Sequence, residues 1–218
     1  MTEWREVDEP KIWASRFPRY LDLVSFDWTC SGKRLEFVRG FRNYLKRIEE
    51  GFPTALFFET SKKIPTATQD AFKIIDGLRV ISPALHDILV QFDMDGVQFF
   101  EVPIHADEHG TPTDLPNHYV LNVYGAKNAL IPELSENIMH PQLAGDPEPL
   151  RTDIWRPNKS LDVVALQDAA ASGPDLWRDP KYKDTLFFSD RLKRAIDAAR
   201  LKTKALDFAP TRVFTKVE

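Results

Sequence analysis

The sequence predicts a single α+β domain over residues 1–218, with a central, largely antiparallel sheet and a few packed helices. Three observations carry this. Residues 78–124 read as strand (Leu78–Ile81), capped helix (Ser82–Phe92), strand (Val97–Ile104), polar loop and strand (Tyr119–Tyr124). A related strand–serine–helix–strand phrase recurs between Leu186 and Phe208. The 218-residue chain, 43% hydrophobic and 28% charged, has the composition of an ordinary globular domain and the length to bury a substantial core.

The first thirty residues are aromatic and irregular, with Trp4, Trp13, Phe17, Tyr20, Phe26 and Trp28, and Tyr20–Phe26 fits a short strand. Phe37, Val38, Phe41, Tyr44, Leu45 and Ile48 recur at helical spacing. Gly51 stands where a C-terminal cap belongs, and Arg39, Arg42, Lys46 and Arg47 form a solvated face. Thr54–Glu59 reads as a buried strand, and Lys62–Phe72 as a turn-rich passage around Pro65.

Ser82-Pro83 is a helix start: the serine oxygen accepts an orphan backbone N–H, and proline costs nothing in the first turn. Ala84, Leu85, Ile88, Leu89 and Phe92 supply the buried stripe, and Asp95-Gly96 turns the chain into the next strand. Val97–Tyr124 is expected to hold an antiparallel pair. Pro132, Pro141, Pro147, Pro149 and Pro157 make residues 132–157 an excursion without extended regular structure, and Leu161–Leu166 fits a strand. Ser189 caps the last helix, through Leu192, Ala195, Ile196 and Ala199, followed by a strand at Ala205–Phe208. Serine, leucine and proline keep the same spacing in both phrases, which predicts a strand–helix–strand unit used twice.

Charge is distributed unevenly. No Lys or Arg occurs between Arg79 and Lys127, whereas Asp87, Asp93, Asp95, Glu101, Asp107, Glu108 and Asp114 do. The net charge of −4 by itself says little about partners, but a sequence pI of about 5.8 makes a polyanion such as nucleic acid an unexpected one. Cys30 is the only cysteine, which rules out an intramolecular disulfide and suits a reducing cytoplasm. The charged start, Met1 to Glu6, lacks the apolar core of a secretory signal, and no run is long enough to span a membrane.

Motifs for catalysis are missing. Thr60-Ser61-Lys62-Lys63 has the side chains of a phosphate loop without its glycines. No flanking feature marks Cys30 as a nucleophile. His105, Asp107, Glu108 and His109, with His118 nearby, have the ligand chemistry of a zinc site, but they fall in a loop with Gly110 and Pro112, where a solvated hairpin tip is the simpler reading. No cofactor and no metal site is expected. The acids Asp93, Asp95, Asp107, Glu108 and Asp114 are the candidate partner-binding residues, complementary to a basic surface.

The segments 78–85, 96–104 and 119–123 resemble the central signature of a proteobacterial family of immunity proteins, long labelled a domain of unknown function and associated with polymorphic toxin systems. Asp175-Leu176-Trp177-Arg178 and residues 186–192 resemble its C-terminal signature. The resemblance covers residues 78–218 and leaves 1–77 without a recognised motif. It implies a non-enzymatic protein that binds and neutralises a cognate toxin, and it transfers no functional residues. The alternatives from other classes are a small metal-dependent hydrolase built on His105, His109 and His118, and an effector chaperone or adaptor. Toxin identity, stoichiometry and oligomeric state do not follow from the sequence.

Overall fold

The computed structural model describes residues 3–15, 26–32, 45–58, 68–139, 156–157, 163–203 and 206–217. The first strands are β1 (Glu3–Val7), β2 (Ile12–Ser15), β3 (Phe26–Cys30), β4 (Pro53–Phe58), β5 (Ala71–Lys73) and β6 (Arg79–Ile81). Helix α1 (Pro83–Leu89) leads to β7 (Val97–Val102), β8 (Ile104–His105) and β9 (His118–Val123). Then come β10 (Ile138–Met139), β11 (Arg156–Pro157), β12 (Ala165–Gln167), β13 (Leu176–Asp179) and β14 (Tyr182–Ser189). Helix α2 (Asp190–Ala198), β15 (Phe208–Pro210) and β16 (Arg212–Val217) complete the described chain.

This corrects the expected α+β architecture: the protein is β-rich, and its strands form several small sheets instead of one central sheet. Two four-stranded antiparallel sheets have the orders β5-β6-β9-β7 and β13-β14-β2-β15. Two three-stranded sheets, β3-β4-β8 and β1-β16-β12, each combine an antiparallel and a parallel pair. Strands β10 and β11 pair separately. The two helices among the described residues have only seven and nine residues, too short to be stable without packing.

The alternation of side chains along each strand stacks the sheets into layers. Val80 and Val120 face a core with Trp28, Leu56 and Phe58, whereas the next residues, Ile81 and Leu121, face the opposite side. There Leu85 and Leu89 of α1 and Leu192 and Ile196 of α2 join Leu186 and Phe188. Phe187 points the other way, onto Ile12, Leu166 and Val213. The order is therefore three-stranded sheet, four-stranded sheet, helix pair, four-stranded sheet, three-stranded sheet. Burial on both faces explains the adjacent apolar residues Val120-Leu121 of β9 and Leu186-Phe187-Phe188 of β14.

Ser82 and Ser189 cap their helices by accepting from Leu85 N–H (3.2 Å) and Leu192 N–H (3.3 Å). The two strand–helix–strand passages enter different sheets: β6 and β7 flank β9, whereas β14 and β15 flank β2. The helix expected through Phe37–Ile48 lies outside the described residues up to 44. Its described end, 45–50, is not helical, and the Ile48 N–H donates to the Gln98 side chain (2.8 Å). Most of Tyr20–Phe26, residues 59–67 and 140–155, and residues 161–162 and 204–205 also lie outside.

Candidate functional site

The acidic residues occupy two turns whose backbone they organise. After α1, the Asp93 side chain accepts from Asp95 N–H (3.0 Å), a local bond characteristic of aspartate in turns. The Asp93 backbone is anchored at both ends: its N–H donates to Asp175 Oδ2 (2.9 Å) and its carbonyl accepts from Asp175 N–H (2.8 Å). Gly96 follows with φ +79, and its carbonyl accepts from the N–H groups of Tyr124 (2.8 Å) and Gly125 (2.7 Å). Both Asp93 and Asp95 are exposed on this anchored turn.

The second turn lies between β8 and β9. Asp107 Oδ1 accepts from the N–H groups of His109 (3.0 Å) and Thr111 (3.1 Å), and Oδ2 accepts from the Thr111 hydroxyl (2.6 Å). These bonds, led by the Thr111 hydroxyl, hold the Asp107 carboxyl below its ordinary pKa. Ala106 N–H donates to the Thr111 carbonyl (2.7 Å), and Gly110 turns the tip at φ +85. Glu108 and Asp114 are exposed on the same loop.

The two turns do not form one patch. Val97 pairs with Val123, and Val102 with His118, so residues 93–96 and 103–117 lie at opposite ends of the β7–β9 pair. Six residues of strand separate them by about 17 Å. Between these ends the structure brings together Asp87, Glu101 and Tyr119. Desolvation first, then the carboxylates of Glu101 and Asp87, raise the Tyr119 hydroxyl pKa. His86 stacks on the Tyr119 ring at 3.9 Å. The cations bounding the acidic stretch turn inward: Arg79 is 3% exposed, and Lys127 donates to the carbonyls of Ala170 (2.8 Å) and Pro174 (2.9 Å).

The histidines diverge. His118 is buried against Phe72 (ring centroids 5.9 Å), with Nε2 2.7 Å from the Thr68 hydroxyl and Nδ1 2.9 Å from the Pro116 carbonyl. Desolvation lowers its pKa. His105 is half-buried in β8, and His109 is exposed at the loop tip. Among the described residues no three His, Cys, Asp or Glu side chains are grouped to hold a metal ion. Cys30 is half-buried, and its thiol donates to the Gly32 carbonyl (3.0 Å).

Sequence reasoning missed a cleft of about 500 Å³ formed by three distant segments, with Lys11, Gly173, Asp175, Trp177, Ser189 and Arg191 among its lining residues. Arg191 donates to both oxygens of Asp175, from Nε and Nη2, each at 2.6 Å. Arg191 and Ser189, with the Asp93 N–H, outweigh burial and hold the Asp175 carboxyl below its ordinary pKa. No local motif announces this cleft, because its walls meet only when β2 enters the sheet beside β14.

These features describe a layered β-rich protein with exposed carboxylates on two turns at opposite ends of the β7–β9 pair. The chain matches the immunity protein family (Imm11) over residues 13–211 and belongs to that family. The match begins within β2 and ends one residue before β16. It also covers most of residues 1–77, where no motif was recognised. No curated protein matches the chain. No helix among the described residues is long and apolar enough to cross a membrane.

Proposed function

We propose that this protein is a cytoplasmic, non-enzymatic immunity protein of a polymorphic toxin system, acting as a single domain that neutralises its cognate toxin by stoichiometric binding. The family match over residues 13–211 carries this reading. The partner presents a basic surface, and Asp93, Asp95, Asp107, Glu108 and Asp114 contact or steer it. Their exposure or partial exposure supports this, as does the inward orientation of the bounding cations. The separation of about 17 Å fits within one partner footprint, because an interface of ordinary size buries about 800 Å² on each side. Asp87 and Glu101 extend the same field between the turns.

The two ends are tested separately, by Asp95→Lys in one variant and Glu108→Lys with Asp114→Lys in another. Asp93 and Asp107 are spared because they organise the turns. Association with the cognate toxin is followed in low salt. Reversal at a contacting end slows association by about tenfold or more, and the effect shrinks as salt is added. Unchanged association in both variants would remove the acidic surface from the account and leave binding itself to be located elsewhere.

A further inference from the structure

The two helix caps are joined by a set of hydrogen bonds that repeats from one unit to the other. In the first unit, the Ser82 N–H donates to the Asp70 carbonyl (3.0 Å), and the Ser82 hydroxyl donates to Asp70 Oδ1 (2.6 Å). In the second, the Ser189 N–H donates to the Asp175 carbonyl (2.9 Å), and the Ser189 hydroxyl donates to Asp175 Oδ1. Each aspartate also reaches across to the exit of the other helix. Asp70 Oδ2 accepts from Lys202 N–H (2.6 Å), and Asp70 N–H donates to the Lys202 carbonyl (3.2 Å). Asp175 Oδ2 accepts from Asp93 N–H (2.9 Å), and Asp175 N–H donates to the Asp93 carbonyl (2.8 Å). Lys202 and Asp93 each stand four residues beyond the last residue of their helix.

We infer that Asp70 and Asp175 form a reciprocal latch, in which each carboxylate fixes the start of one helix to the end of the other, so that the helix pair opens as one unit. A serine cap alone accounts for only part of this arrangement, because it needs no partner beyond its own first turn. Here the second carboxylate oxygen and the aspartate N–H are both committed to a distant loop. Breaking one link frees the start of one helix and the exit of the other, and leaves the pair held only at its opposite ends. One consequence is that Asp175 positions the turn carrying Asp93 and Asp95. The latch itself does not depend on what that turn binds.

Native-state hydrogen exchange on the intact chain tests this without a variant. Helix ends and exit loops ordinarily exchange by independent local openings. The latch predicts that the amides of Leu85, Asp93, Leu192 and Lys202 exchange within about threefold of one another, after correction for intrinsic rates, and share one dependence on added denaturant. Distinct denaturant slopes for Asp93 and Lys202 overturn the proposal. A second measurement uses Asp175→Asn, which leaves the first unit's bonds in place. The latch predicts that exchange at Lys202 accelerates about tenfold together with that at Asp93. Acceleration confined to Asp93, Ser189 and Leu192 reduces the arrangement to two separate caps and overturns it.

Discussion

Asp179 offers the sharpest test of how the layers are held together. It is 3% exposed, and its carboxylate accepts three backbone N–H groups: Ala129 (2.7 Å) and Leu130 (2.8 Å) at Oδ2, and Lys181 (2.8 Å) at Oδ1. It thereby ties the end of β13 to the segment that bridges Leu166 through Leu130. Asp179→Ala strands all three donors. At about 1–3 kcal/mol for each unpaired buried group, and less for the partly exposed Lys181 N–H, the loss is about 4 kcal/mol. Relief from burying a charge offsets a fraction of this. Asp179→Asn keeps one acceptor oxygen but sets an amide NH₂ against at least one donor, for a loss of about 2–3 kcal/mol. Urea unfolding of the three proteins supplies the free energies, and exchange at the Ala129 and Leu130 amides reports the site directly. A loss below about 1 kcal/mol in Asp179→Ala, with those amides still protected, would show that the Asp179 carboxylate does not hold these layers together.

Two further outcomes follow from the same geometry. A Cβ on Gly96 would lie 2.3 Å from Gly125 Cα, at a φ of +79, so Gly96→Ala is expected to cost about 3 kcal/mol or more in chemical denaturation, and a loss under about 1 kcal/mol contradicts the close approach. Burial pushes the Lys127 ammonium pKa down to about 8 from the ordinary 10.5, against the pull of Asp175 and Asp93. Below pH 8 both states carry the charge, and the cost of burying it is fully present. Between the two values the unfolded chain binds more protons, so stability rises with pH. Compared with Lys127→Met, the wild type should therefore gain stability from about pH 8 to 10.5, and parallel curves over that range contradict the burial of Lys127.

Features governed by neighbouring residues were legible in the sequence. Ser82-Pro83 and Ser189 announce their caps because N-cap chemistry involves only the first turn. Asp95-Gly96 marks the turn at positive φ, and the two apolar strands joined by a polar loop, β7 and β9, form the expected antiparallel pair. What failed depends on long-range pairing. The helical phrases suggested an α+β protein, but strands of two or three residues, such as β8, β10 and β12, are too short to display a period. The insertion of β2 between β14 and β15 joins residues far apart in the chain, and no local pattern specifies it. Nothing in the neighbouring sequence distinguishes Asp175 and Asp179 from exposed acids, yet both are buried acceptors of backbone N–H groups. The acids of the long stretch were visible by composition, whereas their division between opposite ends of β7 required the register.

Neutralisation of a toxin by binding is tested most directly with an activity titration. The cognate toxin is held at a fixed concentration well above the dissociation constant, and its activity is measured as this purified protein is added. Stoichiometric binding predicts a linear fall that reaches zero at a fixed ratio, with a stable complex recovered at the end point. Full toxin activity in the presence of a several-fold molar excess would contradict it.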